Sequence, residues 1–270
     1  MNSIAITTLN RRAFLRGTTA AAGATALSVL MSPAASAFAQ GNAEDDTSKY
    51  PTSDDVDILV AAEIAEALAV TTYSNIIDKS PFFKRLASDD QGYLTAARHE
   101  EMSHYNLEKA VTSKESPFSW FYYPMGMFDN AQVTLNTLVT LEDAFIAAYL
   151  VGVRRFSNSN LRVTSARIMG IESDHRTLAR VLAPNVAVMD GGPIEWITGI
   201  QGAPESVDPP NNNGYERTLG LTNIGQAVNA LLPFVDKNKA MAAGFDVSRA
   251  FKFEPFMPKL PNPLGEFIAF

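Results

Sequence analysis

Two long helical stretches of this 270-residue chain place a glutamate where the apolar seam calls for a hydrophobic side chain. From about residue 55 to 78, Leu59, Ala62, Ala69, Tyr73 and Ile76 recur at spacings of three and four once position 66 is counted, and that position is Glu66. From about 130 to 156, Leu135, Leu138, Phe145 and Tyr149 do the same around Glu142. Each acid stands seven residues before a tyrosine, so Glu66 with Tyr73, and Glu142 with Tyr149, share a helix face two turns apart. A buried carboxylate without compensation is costly or keeps its proton. An arginine at the rim satisfies a single seam acid readily; two in equivalent places call for one shared explanation.

Two further helical stretches, at about 88–112 and 160–182, supply it. RHEEMSHY, residues 98–105, leaves three pairings open on one helix face: Glu100 with His104, Glu101 with His104, or His99 with Met102 and no partner. Setting it against GIESDHRT, residues 170–177, with His104 on His175, puts Ile171 opposite Glu100 and Gly170 opposite His99. Only Glu-x-x-His persists, which selects Glu101 with His104 and Glu172 with His175. The chain therefore reads as a pseudo-repeat, a seam glutamate followed by a Glu-x-x-His helix, twice.

Alternating helices of this kind carry the ligand set of a dinuclear carboxylate site in a four-helix bundle. Four carboxylates neutralise most of the charge of two ions and can bridge them, and imidazoles add borderline nitrogen donors. The i, i+3 spacing aims acid and imidazole at one centre. The chain has no cysteine, so disulfides and thiolate sites are excluded and any metal is held by oxygen and nitrogen. No Gly-rich phosphate loop, Ser/His/Asp arrangement or zinc spacing stands out.

The expected fold is all-α: a four-helix bundle over 55–183 with one long crossover, ESPFSWFYYPMGMFD (115–129), between the second and third helices. Six aromatic side chains in those fifteen positions would let the crossover lie down on the bundle. Pro184 is expected to end the fourth helix. The extension from 184 to 270 begins with a Gly-, Pro- and Asn-rich stretch at 190–215. It continues as a fifth helix from Glu216 to about Val235 and ends in a Phe- and Pro-rich tail from Phe251, expected to wrap the bundle or a neighbouring subunit.

Residues 1–39 read as a cleaved export leader. Arg11 and Arg12 precede Phe14 and Leu15, an Ala-, Gly- and Thr-rich run follows, and small-residue cleavage options stand at 35–39, the pattern of a twin-arginine signal. That route carries folded proteins, which suits a chain that takes up metal in the cytoplasm. Residues 40–54 form a polar linker. The leader holds three of the 22 basic residues and no acid, so cleavage leaves 19 basic and 29 acidic side chains, net −10. That balance disfavours nucleic acid and anionic membrane surfaces as partners.

The two Glu-x-x-His motifs and the seam acids resemble the ferritin-like superfamily over about residues 55–183. With the leader and the extension, the chain is most similar to exported ferritin-like proteins of the desiccation-related type. The resemblance implies six ligands, Glu66, Glu101, His104, Glu142, Glu172 and His175, with Glu101 and Glu172 bridging two iron or manganese ions. The chain as a whole is expected to be an extracytoplasmic or periplasmic oxidoreductase whose di-metal site reacts with dioxygen or peroxide, in a small homo-oligomer without a stable membrane anchor. Iron storage, and a protective envelope protein with a vestigial site, are the competing readings. Around the ligands, Tyr73 and Tyr149 are expected as core groups beside the site, and Glu108 as an exposed acid or an acceptor for an imidazole N–H. Glu63 is expected to be solvated, and His99 and Glu100 to lie at the surface or rim.

Overall fold

The computed structural model describes residues 53–186 and 220–259. The leader, nearly all of the 40–54 linker, the Gly- and Pro-rich stretch at 190–215 and the tail beyond 259 lie outside the described residues. Four long helices dominate: α1 (Ser53–Lys79), α2 (Ser88–Thr112), α3 (Ala131–Arg155) and α4 (Ser159–Val186). Their apolar seams fall where the period of three and four residues puts them. Leu59, Tyr73, Ile76, Leu94, Ala97, Leu135, Leu138 and Phe145 are all buried. Pro184 does not end α4, which runs on to Val186. A proline this close to a C-terminus forfeits one backbone bond in the last turn, a smaller loss than in mid-helix.

α1 packs on α2 and α3 on α4, and the two pairs meet through α1 against α3 and α2 against α4. A short link carrying the 3-10 turn Phe83–Arg85 joins the first pair. In the second pair Gly152 permits close approach: a Cβ there would sit 2.7 Å from Ser165 Oγ and 2.9 Å from the Phe156 ring. The α3–α4 turn is tied to the start of α1, because Ser157 donates from its backbone N–H and its hydroxyl to the Asp55 carboxylate at 2.7 and 2.6 Å. Asn130 caps α3 by accepting from the Val133 N–H. α3 is long and apolar enough to cross a membrane by composition, but most of it is buried inside the bundle, as a core helix is.

The crossover is not purely irregular. Residues Trp120–Pro124 form strand β1, which pairs antiparallel with β2 (Phe245–Lys252) from the extension, Phe121 opposite Phe251 and Pro124 opposite Phe245, with a register irregularity between. Ahead of β2 in the extension lie α5 (Ile224–Val235) and α6 (Lys237–Ala242). The fifth helix thus starts at Ile224 rather than Glu216, because Asn223 takes the N-cap and accepts from the Gln226 N–H. Residues 216–219 lie outside the described residues.

As expected, the crossover's aromatics are anchored in the core. Phe121, Tyr123 and Phe128 are buried, and the Tyr123 ring meets Phe128, Phe234 and Phe251 edge-on. Trp120 stays half in solvent. The described part of the tail lies on α2: Phe253 packs edge-on against Tyr105 and Phe256 against the His99 ring.

Candidate metal centre

Helix geometry carries the candidate ligands inward. Glu66 on α1 and Glu142 on α3 each occupy one seam position, while Glu101 with His104 on α2 and Glu172 with His175 on α4 project from adjacent turns. All six meet at mid-bundle in two overlapping groups. One is Glu66, Glu101, His104 and Glu172; the other is Glu101, Glu142, Glu172 and His175. Within each group one donor atom per residue lies within 4.8 Å of every other. Glu101 and Glu172 belong to both, the placement a bridging carboxylate needs.

The distances are those of donors around common centres. His104 Nδ1 lies 3.6 Å from Glu66 Oε2, 3.4 Å from Glu101 Oε2 and 3.3 Å from Glu172 Oε1. His175 Nδ1 lies 2.9 Å from Glu101 Oε1 and 3.5 Å from Glu172 Oε2. For bonds of about 2.1 Å at right angles, neighbouring donors stand roughly 3 Å apart. Eight buried donor atoms have no hydrogen-bond partner: Glu66 Oε2, both oxygens of Glu101 and of Glu172, Glu142 Oε2, and Nδ1 of both histidines. Buried polar atoms are rarely orphaned, and eight converging on one spot fit a pair of cations. The donor set, six carboxylate oxygens and two imidazole nitrogens, suits divalent or trivalent iron or manganese.

Two tyrosines hold the terminal acids, and they do so crosswise. Tyr73 on α1 donates to Glu142 Oε1 on α3 at 2.7 Å, and Tyr149 on α3 donates to Glu66 on α1. Each tyrosine shares a face with the acid on its own helix and bonds the acid across the bundle, so the pairs lock α1 to α3. Burial first, then neighbouring carboxylates, push both phenols well above their ordinary pKa, which keeps them neutral donors.

Tyr149 also lies 2.7 Å from Glu108 Oε1. A phenol has one proton, so both contacts are hydrogen bonds only when one of the two carboxyls is protonated. Burial is the main cause that raises Glu108 well above the carboxylate range. A protonated Glu108 then donates to the phenolic oxygen while the phenol donates to Glu66.

Three expectations need correcting. Glu63 is not solvated: it is fully buried on α1 and accepts from the Thr112 hydroxyl, and burial pushes it up to about 7. Glu108 is not exposed, and it meets a phenol rather than an imidazole. Glu100 does stand at the rim, but it is not idle. Its Oε2 lies 2.8 Å from His175 Nε2, so His175 donates outward to Glu100 and turns its Nδ1 toward Glu101 and Glu172. His99 is buried, accepts from the Lys259 N–H at 3.2 Å and pins the tail. Helical spacing could have flagged Glu63 and Glu108 as near the seams, but no local signal pairs Glu100 with His175, 75 residues away.

Charge in the metal-free cluster is balanced by protons. Burial, then the Glu101 charge, raises Glu66 and Glu142 well above the ordinary value. Burial opposes charging Glu101 too, but the adjacent imidazoles outweigh it and hold Glu101 ionised. The imidazoles of His104 and His175 are raised well above their ordinary value, the facing carboxylates outweighing the cost of burial. Beside the cluster Asp143 and Arg176 form a buried ion pair at 3.1 Å.

Residues 54–184 match the family model of the ferritin-like domain, which covers all four long helices. Neither a curated protein nor a solved structure matches the chain.

Proposed function

We propose that this ferritin-like domain, residues 54–184, binds two iron or manganese ions and reacts with dioxygen or peroxide. The observation that carries the reading is the set of eight converging buried donor atoms that make no hydrogen bond, with Glu101 and Glu172 shared between the two groups. Glu66 and Glu142 would hold one ion each as terminal ligands, Glu101 and Glu172 would bridge, and His104 and His175 would bind through Nδ1. When bound, such ions supply the redox change that reduces dioxygen or peroxide.

The chain itself supplies geometry and protons. Tyr73 and Tyr149 fix the terminal carboxylates by bonding the oxygen that faces away from the cluster, and Glu100 fixes the His175 tautomer. Five of the six ligands are almost wholly shielded from water, and His104, at 12% exposure, is the most open. Glu108 and Tyr149 store a proton one hydrogen bond from Glu66.

The twin-arginine pattern at Arg11 and Arg12 supports an extracytoplasmic location, and with it a protective role against oxidative or desiccation stress. The long extension after the bundle favours a small oligomer over a storage cage.

Anaerobic loading with iron(II) or manganese(II), metal counted per chain, tests the centre. Two ions per chain are expected in the native protein, with a marked loss in Glu101→Ala. A count well below two that is indifferent to that substitution sinks the reading. Peroxide consumption by the loaded protein, against Glu172→Ala, tests turnover; equal, negligible rates in both favour a vestigial site.

A further inference from the structure

A cavity opens between α1, α2, α3, α4 and α5, beside the cluster but outside it. Ala62, Ala148, Thr164 and Ile224 are its half-buried lining residues and mark its mouth among the described residues, and its walls are apolar side chains such as Leu59 and Phe145. The inner end is lined by Tyr149 and Glu108, the pair that contacts Glu66.

Size decides what fits. The cavity volume is about 30 Å³. One water needs roughly 10–15 Å³ and two or more polar partners, while a cavity that takes benzene measures about 150 Å³. An apolar wall offers water few partners and dioxygen none to miss, so the space suits an uncharged diatomic and excludes an aromatic or alkyl substrate.

The two halves of the cluster also differ. The His175 half is closed by Glu100 and flanked by the buried Asp143–Arg176 pair. The Glu66 half is the one the cavity approaches.

We infer that this cavity is the binding and entry site for dioxygen, delivering it to the Glu66–His104 half of the centre. The inference rests on the proposed dioxygen reactivity, and its test separates the two. Xenon is an apolar probe of similar size, and the chemical shift of dissolved ¹²⁹Xe reports occupancy of the full chain without metal or turnover. The expected result is a saturable xenon shift in the native protein, lost in Ala148→Leu, whose added side chain fills the mouth from α3. Ala62→Leu closes it from α1 and keeps the test intact where the first variant misfolds.

In iron(II)-loaded protein the same variants are expected to slow oxidation by dioxygen several-fold and leave that by hydrogen peroxide, a polar oxidant, unchanged, with metal per chain unaltered. No saturable xenon shift, or a shift untouched by both substitutions, overturns the inference, as does an equal slowing of both oxidants. Xenon binding that the variants abolish, in a loaded protein inert to dioxygen, would uphold the cavity as a site for an apolar diatomic and overturn its role in delivering dioxygen together with the proposed reactivity.

Discussion

Loading the metal-free protein with two divalent ions is expected to release up to four protons per chain near neutral pH. One each comes from Glu66 and Glu142, whose carboxyls burial and neighbouring charge raise well above 4.5, and one each from His104 and His175, which facing carboxylates raise well above 6.5. Every ligand must be deprotonated to bind. Exposed groups of the same types would release far less, because above pH 7 they have already lost most of their protons.

Affinity therefore rises with pH, each released proton adding about one logarithmic unit of binding constant per pH unit. Manganese(II) under anaerobic conditions, added to weakly buffered protein with an indicator dye, gives the count directly. Release of less than one proton per chain at pH 7 refutes the account of how the empty cluster balances its charge.

The same protons fix the sign of the stability change. Native Glu66 and Glu142 hold protons that the unfolded chain loses above 4.5, so their share of stability falls as pH rises from there. The histidines, raised in the fold, stabilise fully below 6.5 and lose that contribution as pH climbs through their folded values. Both act in one direction: the melting temperature of the metal-free protein is expected to fall between pH 5 and pH 9, while that of the loaded protein, whose histidines carry no extra proton, does not fall over the same range.

Three further outcomes can be checked separately. Glu100→Gln weakens the hold on His175 Nε2 and is expected to lower affinity for one of the two ions about 10–100-fold, seen as a split in the metal titration; a single unchanged isotherm contradicts it. Tyr149→Phe strips Glu66 of a donor and Glu108 of its partner and should cost about 1–3 kcal/mol in urea unfolding with two ions still bound, whereas native-like stability would show that the contact contributes nothing. Glu63→Gln removes a buried carboxyl held up to about 7, so the variant should be more stable than the native protein at pH 8 and similar to it near pH 4.5; a gain that does not depend on pH rules out ionisation as its cause.

Much of the site was legible because helices are periodic. Glu66 and Glu142 stood out as acids in apolar seams, and the two Glu-x-x-His pairs as one spacing repeated, since residues three or four apart must share a face. Glu63 and Glu108 escaped that reading: neither has a counterpart in the repeated pattern, and only the position of α3 and the end of α2 shows that both are covered. β1 was hidden in an aromatic run because its partner β2 lies more than a hundred residues away, and strand pairing leaves no local trace at that distance.

By itself, then, the sequence determined the helices, their inward faces and the six acidic and histidine side chains that those faces gather, all properties of local spacing. The tertiary structure alone decided how those faces meet: the crossed Tyr73–Glu142 and Tyr149–Glu66 bonds, Glu100 behind His175, and a cavity that reaches one half of the centre. The physical reason is that each depends on the distance between helices far apart in the chain, which side-chain packing sets and helical period does not.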